Sequence, residues 1–268
     1  MSEENSSGKD FRKNVRRKSL KSFAWFFLFI IFCVAGWKWL MHQPEEAGAL
    51  KPLRTAMDAN EKIFSGVFSD SHLEPTYPKT SAVTRVRVNG NYGMKSDLDT
   101  AAWKLLVVRN ADITPIADTV EISLEEIKKL PKTEVVFNFK CIEGWSQVTW
   151  WGGVKFSDFA EHFHLGTKSG NAPDKNNKDD LFKYAGLRTP DGEYYVGIDM
   201  PSIMHPQTIL CYEMNGRPLP MNQGAPLRLI IPVKYGVKHL KRIGTLFFSD
   251  SPPPDYWYEQ GYDYYAGL

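Results

Sequence analysis

The three cysteines of this 268-residue chain are its side chains best suited to binding a soft metal. Cys33 lies inside a long apolar run, and Cys211 lies in the apolar stretch 209–212, a setting typical of core packing. Cys141 ends an alternating segment and directly precedes the loop 142–146. Periodicity alone favours a buried structural thiol at Cys141. Because strand ends commonly carry chemistry, Cys141 is also the candidate metal ligand.

The spacing of the cysteines and histidines excludes most self-contained metal sites. The sequence contains no CxxC pair, no HExxH motif and no disulfide framework. His162 and His164 form an HFH motif that on a strand would place both rings on one face, where they could bind a metal. The simpler interpretation is a pair of polar residues leading into the next loop. Metal chemistry would therefore rest on one cysteine or on a cofactor that brings its own ligands.

Short strands with a few helices are predicted around Cys141. Residues 134–141 alternate as a half-buried strand that ends at Cys141. Residues 120–130 predict a strand end followed by a short helix, because Ser123 and Glu126 have capping-box spacing and Pro131 stops the helix. Further strands are predicted at residues 84–89, 103–108, 184–188, 194–199, 209–213 and 227–232. This pattern indicates an α+β fold that is mixed and β-rich, in one large domain.

Composition excludes two classes of protein. The chain carries a net charge of +2, and residues 1–21 contain 7 Lys and Arg against 3 Asp and Glu, so the remainder is close to neutral. A nucleic-acid binder that works by bulk electrostatics needs a concentrated basic face, which is missing here. With 8 Trp, 12 Tyr and 16 Phe, the chain has far more core-forming residues than a disordered protein.

An apolar segment near the N-terminus predicts a membrane anchor. Residues 22–41 are interrupted only by Lys38 and as a helix would span about 30 Å, one bilayer core. Trp37 and Trp39 stand where an aromatic belt would lie. A basic cluster precedes the segment, so the positive-inside rule places the N-terminus in the cytoplasm and the remaining chain on the far side. That cluster comprises Arg12, Lys13, Arg16, Arg17, Lys18 and Lys21.

Two features of this region bear on export. Residues 16–21 (RRKSLK) resemble a twin-arginine export signal, with Ser19 where the pattern usually has Phe. The alternative is a generic basic flank of a signal anchor. The candidate cleavage site, Ala47-Gly48-Ala49, lies rather far from the apolar segment, so an uncleaved anchor is predicted. Residues 42–80, with a helical patch near 53–68, are interpreted as a linker that wraps onto the following domain.

Four short segments of the chain together resemble the sulfite-oxidase superfamily of molybdopterin enzymes. They are Cys141-Ile-Glu-Gly-Trp-Ser146, His205-Pro-Gln-Thr208, GAPLRLIIP at residues 224–232, and KYG followed by KHLK at residues 234–241. The branch they resemble comprises small bacterial molybdopterin-dependent oxidoreductases, including the periplasmic methionine-sulfoxide reductase catalytic subunit. The resemblance extends from about residue 75 to the C-terminus.

The resemblance implies a molybdenum-molybdopterin cofactor and a set of site residues. Cys141 would be the metal ligand and catalytic residue, since molybdenum is bound by sulfur. Arg228, Lys241 and the backbone N–H groups of His239 and Leu240 would hold the cofactor phosphate. The remaining implied cofactor contacts are Asn89, Asn91, Tyr92, Thr189, His205 and Gln223. Two departures leave the substrate preference open: Tyr92-Gly93 replaces a Tyr-Glu contact, and Arg188 replaces a carboxylate.

The resemblance also implies a reaction and partners. We expect two-electron oxygen-atom transfer on a small sulfur-containing substrate, either a sulfoxide or a sulfite-like compound. An external electron carrier is expected, such as a membrane haem protein or cytochrome c, since no haem-binding domain is recognised. Too little chain follows Asp250 for the additional immunoglobulin-like dimerisation domain of the larger sulfite oxidases. The expected domains are a basic cytoplasmic tail (1–21), a transmembrane anchor in the bacterial inner membrane (22–41), the linker (42–80) and a periplasmic molybdopterin-binding oxidoreductase domain (81–268). The alternative is a non-catalytic, membrane-anchored β-rich binding or scaffold module.

Overall fold

The computed structural model describes residues 3–67, 72–95, 98–113, 118–174 and 176–267. The chain divides into two compact units, Met1–Thr55 and Ala56–Leu268.

The first unit is dominated by a long helix. Helix α1 (Glu3–Met41) contains the segment Arg12–Met41, which among the described residues is the one helix long and apolar enough to cross a membrane. Its most apolar 18 residues have a mean hydropathy of 1.9. A signal sequence close to the N-terminus has the same length and composition, so α1 is a candidate for either role.

A tight hairpin follows α1. Strands β1 (Glu45–Glu46) and β2 (Ala49–Leu50) pair antiparallel. Ala47 and Gly48 between them have φ angles of +47° and +74°, typical of a two-residue hairpin turn. The buried side chain of Arg54, at the start of α2 (Lys51–Val67), donates from Nη2 to the Ala47 carbonyl at 2.6 Å. The Ala47-Gly48-Ala49 segment therefore lies in a fixed turn. Helix α2 confirms the helical patch predicted near residues 53–68; residue 68 itself lies outside the described residues.

Two five-stranded sheets form the second unit. The first has the order β10-β9-β6-β5, with β11 also paired to β9. Its strands are β5 (Lys132–Lys140), β6 (Ser146–Lys155), β9 (Ile209–Met214), β10 (Arg217–Pro218) and β11 (Arg228–Ile230). The second has the order β4-β3-β12-β7-β8, in which β12 and β3 are parallel. Its strands are β3 (Lys104–Val108), β4 (Thr119–Ser123), β7 (Tyr184–Arg188), β8 (Tyr195–Asp199) and β12 (Thr245–Ser249).

Four short α-helices follow α2 in the part of the second unit that the structure describes, besides several three-residue 3₁₀ helices. The four α-helices are α3 (Leu124–Lys128), α4 (Phe156–Phe163), α5 (Met200–Ile203) and α6 (Tyr256–Glu259). His162 lies in the last turn of α4 and His164 caps it with a φ of +55°, so the HFH motif does not lie on a strand. Among the described residues, no group of three His, Cys, Asp or Glu side chains could hold a metal ion.

The first sheet separates two hydrophobic cores. Leu210 and Leu229 belong to the large core, which also contains residues of the second sheet. Their neighbours Cys211 and Ile230 belong to a smaller core with Trp151, because successive side chains of a strand point to opposite faces. Cys211 is fully buried there, which confirms its prediction as a core residue.

Most of the predicted strands are confirmed, as is the α3 capping box formed by Ser123 and Glu126. The strand predicted at residues 84–89 is wrong. This segment runs beside β6, where Val83 donates its N–H to the Val148 carbonyl at 3.0 Å. Further along the segment, the Arg87 N–H donates to the side-chain oxygen of Gln147 at 3.0 Å and not to a backbone carbonyl of β6. A side-chain acceptor cannot continue a ladder, so the segment remains irregular.

Candidate active site

A cavity on the side of the first sheet that carries the smaller core brings together most of the predicted site residues. The volume of this cavity is about 960 Å³, which includes the part that is open to solvent. The predicted site residues in its lining are Asn89, Tyr92, Cys141, Gln223, Arg228, His239 and Lys241. They come from the end of β5, from the irregular segment before residue 93 and from the segment that contains β11.

Cys141 is held at the turn of the longest hairpin in the second unit. Strands β5 and β6 pair over nine residues, and the Cys141 N–H closes the turn by donating to the Trp145 carbonyl at 2.9 Å. The Cys141 Sγ accepts a hydrogen bond from Asn89 Nδ2 at 3.7 Å. Burial raises the pKa of Cys141, against the backbone N–H of Glu143 and the charge of Arg87. The free thiol is therefore protonated at neutral pH, and binding a metal would release its proton.

Arg228 places a buried positive charge beside the cavity. Its Nη1 donates to the Gln223 carbonyl at 2.9 Å, and its guanidinium lies 4.6 Å from the centre of the Trp151 ring. Burial lowers the pKa of Arg228 to about 10, and Cys211 is the one group that opposes this shift. The Arg228 Nε is buried without a hydrogen-bond partner among the described residues. An uncompensated buried cation with a free donor is suited to an anionic ligand.

Lys241 adds a second cation to the same cavity. Its Nζ donates to the carbonyls of Asn89 and of Gly90, the latter at 3.0 Å. Burial, together with the charge of Arg228, lowers the pKa of Lys241 to about 8. Gly224 permits the close packing here: its φ is +100°, and an added Cβ would lie 2.7 Å from the Lys241 Cβ.

The backbone N–H groups of His239 and Leu240, which were predicted to form an anion nest, already have acceptors within the protein. The His239 N–H donates to the Gly236 carbonyl at 3.1 Å, and the Leu240 N–H donates to the Lys238 carbonyl at 3.0 Å. Both groups are therefore used within the protein, and the positive charge at this end of the cavity comes from side chains. His239 itself is neutral, because burial, reinforced by the charge of Arg228, lowers its pKa to about 3.

Four predicted contacts lie outside the cavity lining. The Thr189 hydroxyl donates to Asp191 Oδ1 at 2.7 Å within the β7–β8 turn. The His205 Nε2 hydrogen-bonds with the His72 carbonyl at 3.2 Å. Leu240 is buried in the large core, and Asn91 is exposed. Their roles as cofactor contacts stay predictions.

Sequence reasoning missed most of the cavity wall, which is aromatic. The aromatic lining residues outside the predicted set are Phe139, Trp145, Trp151, Tyr194, Trp257 and Tyr262. Arg87 and Glu143 also line the cavity. Trp145 and Glu143 lie in the loop after Cys141, so that loop was the available signal. Trp257 and Tyr262 come from the C-terminal segment, where no sequence pattern pointed to the site.

Comparison with known proteins gives the family. The family profile described as the oxidoreductase molybdopterin binding domain matches residues 85–257, well over half of the chain. A protein of Azospira oryzae whose name describes a methionine-sulfoxide reductase subunit, YedZ1, is 31% identical over 210 residues, which cover 78% of this chain and 73% of the relative. The methionine-sulfoxide reductase catalytic subunit MsrP of Campylobacter jejuni is 31% identical over 191 residues, which cover 65% of this chain and 59% of the relative. MsrP of Xanthomonas axonopodis is 32% identical over 143 residues, which cover 52% of this chain and 44% of the relative.

The match therefore spans less than two thirds of these MsrP relatives. Among solved structures, the sulfane dehydrogenase SoxCD of Paracoccus pantotrophus is similar over 68% of this chain and 46% of that one, with 15% identity and a TM-score of 0.46. The chain belongs to the oxidoreductase molybdopterin binding domain family and is therefore a molybdopterin-dependent oxidoreductase that uses the molybdenum cofactor.

Proposed function

We propose that the protein transfers an oxygen atom to or from a small sulfur-containing substrate, a sulfoxide or a sulfite-like compound, with electrons supplied or taken up by an external carrier. One observation carries this proposal: a buried thiol, the buried cation Arg228 and the half-buried cation Lys241 line the same cavity. The named relatives support the sulfoxide class, since their names describe methionine-sulfoxide reductases. The words "catalytic subunit" in two of those names support a separate partner, such as a membrane haem protein or cytochrome c.

The side chains in the cavity fit the molybdenum cofactor. Cys141 is the one cysteine of the described residues that lines the cavity, and it offers a soft ligand for molybdenum. Arg228 and Lys241 have no carboxylate partner among the described ion pairs, and they would hold the phosphate. Asn89, Tyr92 and Gln223 line the same cavity and would contact the pterin.

When bound, the cofactor supplies the two-electron oxygen-atom transfer. The chain supplies position and environment. The turn after β5 fixes the Cys141 Sγ, and Asn89 donates to it. Tyr194 donates its hydroxyl to the Val237 carbonyl at 2.6 Å, and burial raises the pKa of Tyr194, so this residue stays neutral and fixes the loop that precedes His239. The aromatic walls limit the number of water molecules near the thiol, which strengthens electrostatic interactions with a bound substrate.

The decisive experiment measures metal and activity together. Protein purified from cells that make the cofactor should contain about one molybdenum per chain. It should also either reduce methionine sulfoxide with an artificial electron donor or oxidise sulfite with an artificial acceptor. Molybdenum-loaded protein that is inactive toward both compounds would contradict the proposed reaction. The family membership does not support the non-catalytic scaffold alternative.

We further propose that α1 anchors the protein in the bacterial inner membrane through residues 22–41, with residues 1–21 in the cytoplasm. The linker 42–80 and the catalytic domain 81–268 would then lie in the periplasm. The apolar side chains of α1 support this proposal, because they are exposed along its length, as Phe32 is at 74%. The Ala47-Gly48-Ala49 turn supports an uncleaved anchor, since Ala49 is buried and the Ala47 carbonyl accepts a hydrogen bond from Arg54, which limits access of a protease to this backbone.

Replacing Arg16 and Arg17 together with lysine tests the export route. If the folded, cofactor-loaded domain uses the twin-arginine route, the variant should remain in the cytoplasm, although its charge is unchanged. Cell fractionation and protease accessibility in spheroplasts provide the measurement. Replacing Arg12 with lysine in the same cluster is the matched control and should leave export intact. Normal export of the double variant would identify a generic signal anchor instead.

A further inference from the structure

Arg87 places a guanidinium in the lining of the active-site cavity. Its Cζ lies 4.8 Å from the centre of the Trp145 ring, and Trp145 in turn stacks on Phe139 at a centroid distance of 5.9 Å. Arg87, Trp145 and Cys141 all line the same cavity. A guanidinium stacked on an indole keeps its planar face covered and its edge donors free.

The backbone of Arg87 is fixed from both sides. Its N–H donates to Gln147 Oε1 at 3.0 Å, and its carbonyl accepts from Gln223 Nε2 at 3.5 Å. The preceding residue, Val86, is buried in the smaller core. The Arg87 side chain is exposed, but its backbone is held in place by these contacts. An anion that binds to the guanidinium therefore does not have to order the backbone first.

The acidic residue in the same cavity, Glu143, attracts Arg87 without forming a direct ion pair: a hydrogen bond from Trp145 and, to a smaller extent, the charge of Arg87 lower the pKa of Glu143. Glu143 accepts a hydrogen bond from Trp145 Nε1 at 2.9 Å. No ion pair within 4.0 Å among the described residues involves Arg87. Arg228 and Lys241 lie at the part of the cavity assigned above to the cofactor phosphate, which leaves Arg87 as the cation available to a substrate.

We infer that Arg87 is a specificity-determining residue that favours substrates with an anionic group close to the oxygen-bearing sulfur. This inference rests on the proposed function and narrows its substrate class from sulfoxides in general to acidic ones. A carboxylate or sulfonate can accept charge-assisted hydrogen bonds from the edge of the guanidinium. A neutral sulfoxide of the same size gains no such bond.

The test compares two sulfoxides that differ in charge, dimethyl sulfoxide and 3-(methylsulfinyl)propanoate, with the molybdenum-loaded enzyme. In Arg87→Ala, kcat/KM for the propanoate should fall about 10- to 100-fold, the usual range for losing a charge-assisted hydrogen bond. The fall should appear mainly in KM, and dimethyl sulfoxide should change less than about threefold, since the lost interaction is one of binding. Arg87→Lys should retain part of the preference. Arg85→Ala, an exposed arginine outside the lining, is the matched control.

A second readout separates this inference from the proposed reaction. Binding of the propanoate to loaded enzyme can be followed by tryptophan fluorescence, because Trp145 contacts Arg87. If neither sulfoxide is reduced but the propanoate binds in an Arg87-dependent way, the proposed reaction fails and the binding role stands. If both sulfoxides are reduced and Arg87→Ala lowers kcat/KM for both by the same factor, the proposed reaction stands and the role inferred for Arg87 is wrong. A loss of molybdenum from Arg87→Ala would also overturn it, since Arg87 would then hold the cofactor.

Discussion

Replacing Cys141 with serine is expected to lower activity by at least about 1,000-fold, the scale seen when an essential catalytic group is removed. A hard hydroxyl cannot replace a soft thiolate at molybdenum, and the serine proton is far harder to release. The fold should persist, because Cys141 lies at a turn and its backbone bond to Trp145 does not depend on the side chain. The measurements are turnover, molybdenum content and the visible absorption that a sulfur-to-metal bond contributes. Full activity in this variant would contradict the assignment of Cys141 as the metal ligand.

Cys211→Ser is the matched control. Cys211 is fully buried on β9, and its Sγ donates to the Glu213 carbonyl at 3.1 Å, a bond that a serine hydroxyl can also make. We expect a stability loss of about 1 kcal/mol, typical of a conservative core change, with activity and metal content preserved. If Cys211→Ser and Cys141→Ser lost activity equally, the distinction between the two thiols would be wrong.

The second large effect is expected on cofactor retention. Arg228→Ala and Lys241→Ala should each weaken retention on the order of 100-fold, because each removes a charge-assisted partner of a partly buried anion. The empty protein should melt within about 4 °C of the original, the shift that ~1 kcal/mol produces in a domain of this size. Stability changes little because the substitution of Arg228 also removes an uncompensated buried charge. Molybdenum per chain after gel filtration and thermal melts of empty protein provide the measurements.

Two further variants sharpen this result. Arg228→Lys should recover part of the retention, since lysine keeps the charge but lacks the planar fork. Arg217→Ala, which removes an exposed arginine on β10 of the same sheet, should retain molybdenum normally. Full molybdenum content in a variant at Arg228 would show that Arg228 serves the fold alone. The same conclusion would follow if the substitution lowered the melting temperature of the cofactor-free protein as much as that of the cofactor-loaded protein.

The sequence was sufficient where the signal is local. Strand β5 alternates, and the Ser123–Glu126 capping box lies within four residues, so the position of Cys141 at a strand end and the start of α3 were both predictable. The family resemblance rests on such short segments as well. Sequence reasoning also separated Cys211 from Cys141, because apolar neighbours on both sides indicate burial.

The sequence was insufficient where distant segments decide the outcome. Residues 84–89 alternate like a strand, but the side chain of Gln147 takes the N–H that a ladder would need. The aromatic wall of the cavity contains residues of the turn after β5 together with Trp257, which lies more than a hundred residues later in the chain. Hydrophobic periodicity reports local structure and cannot predict a contact between segments so far apart in sequence.

The pair of cations in the cavity lining, the buried Arg228 and the half-buried Lys241, affects how long the protein survives in a cell. Without an anion, Arg228 and Lys241 repel each other across a partly desolvated space, so the empty domain opens more often than the filled one. Degradation by proteases follows the population of such open states when opening and closing are fast. A cell that lacks molybdenum should therefore clear this protein faster, and its abundance should follow the cofactor supply even if its synthesis is constant.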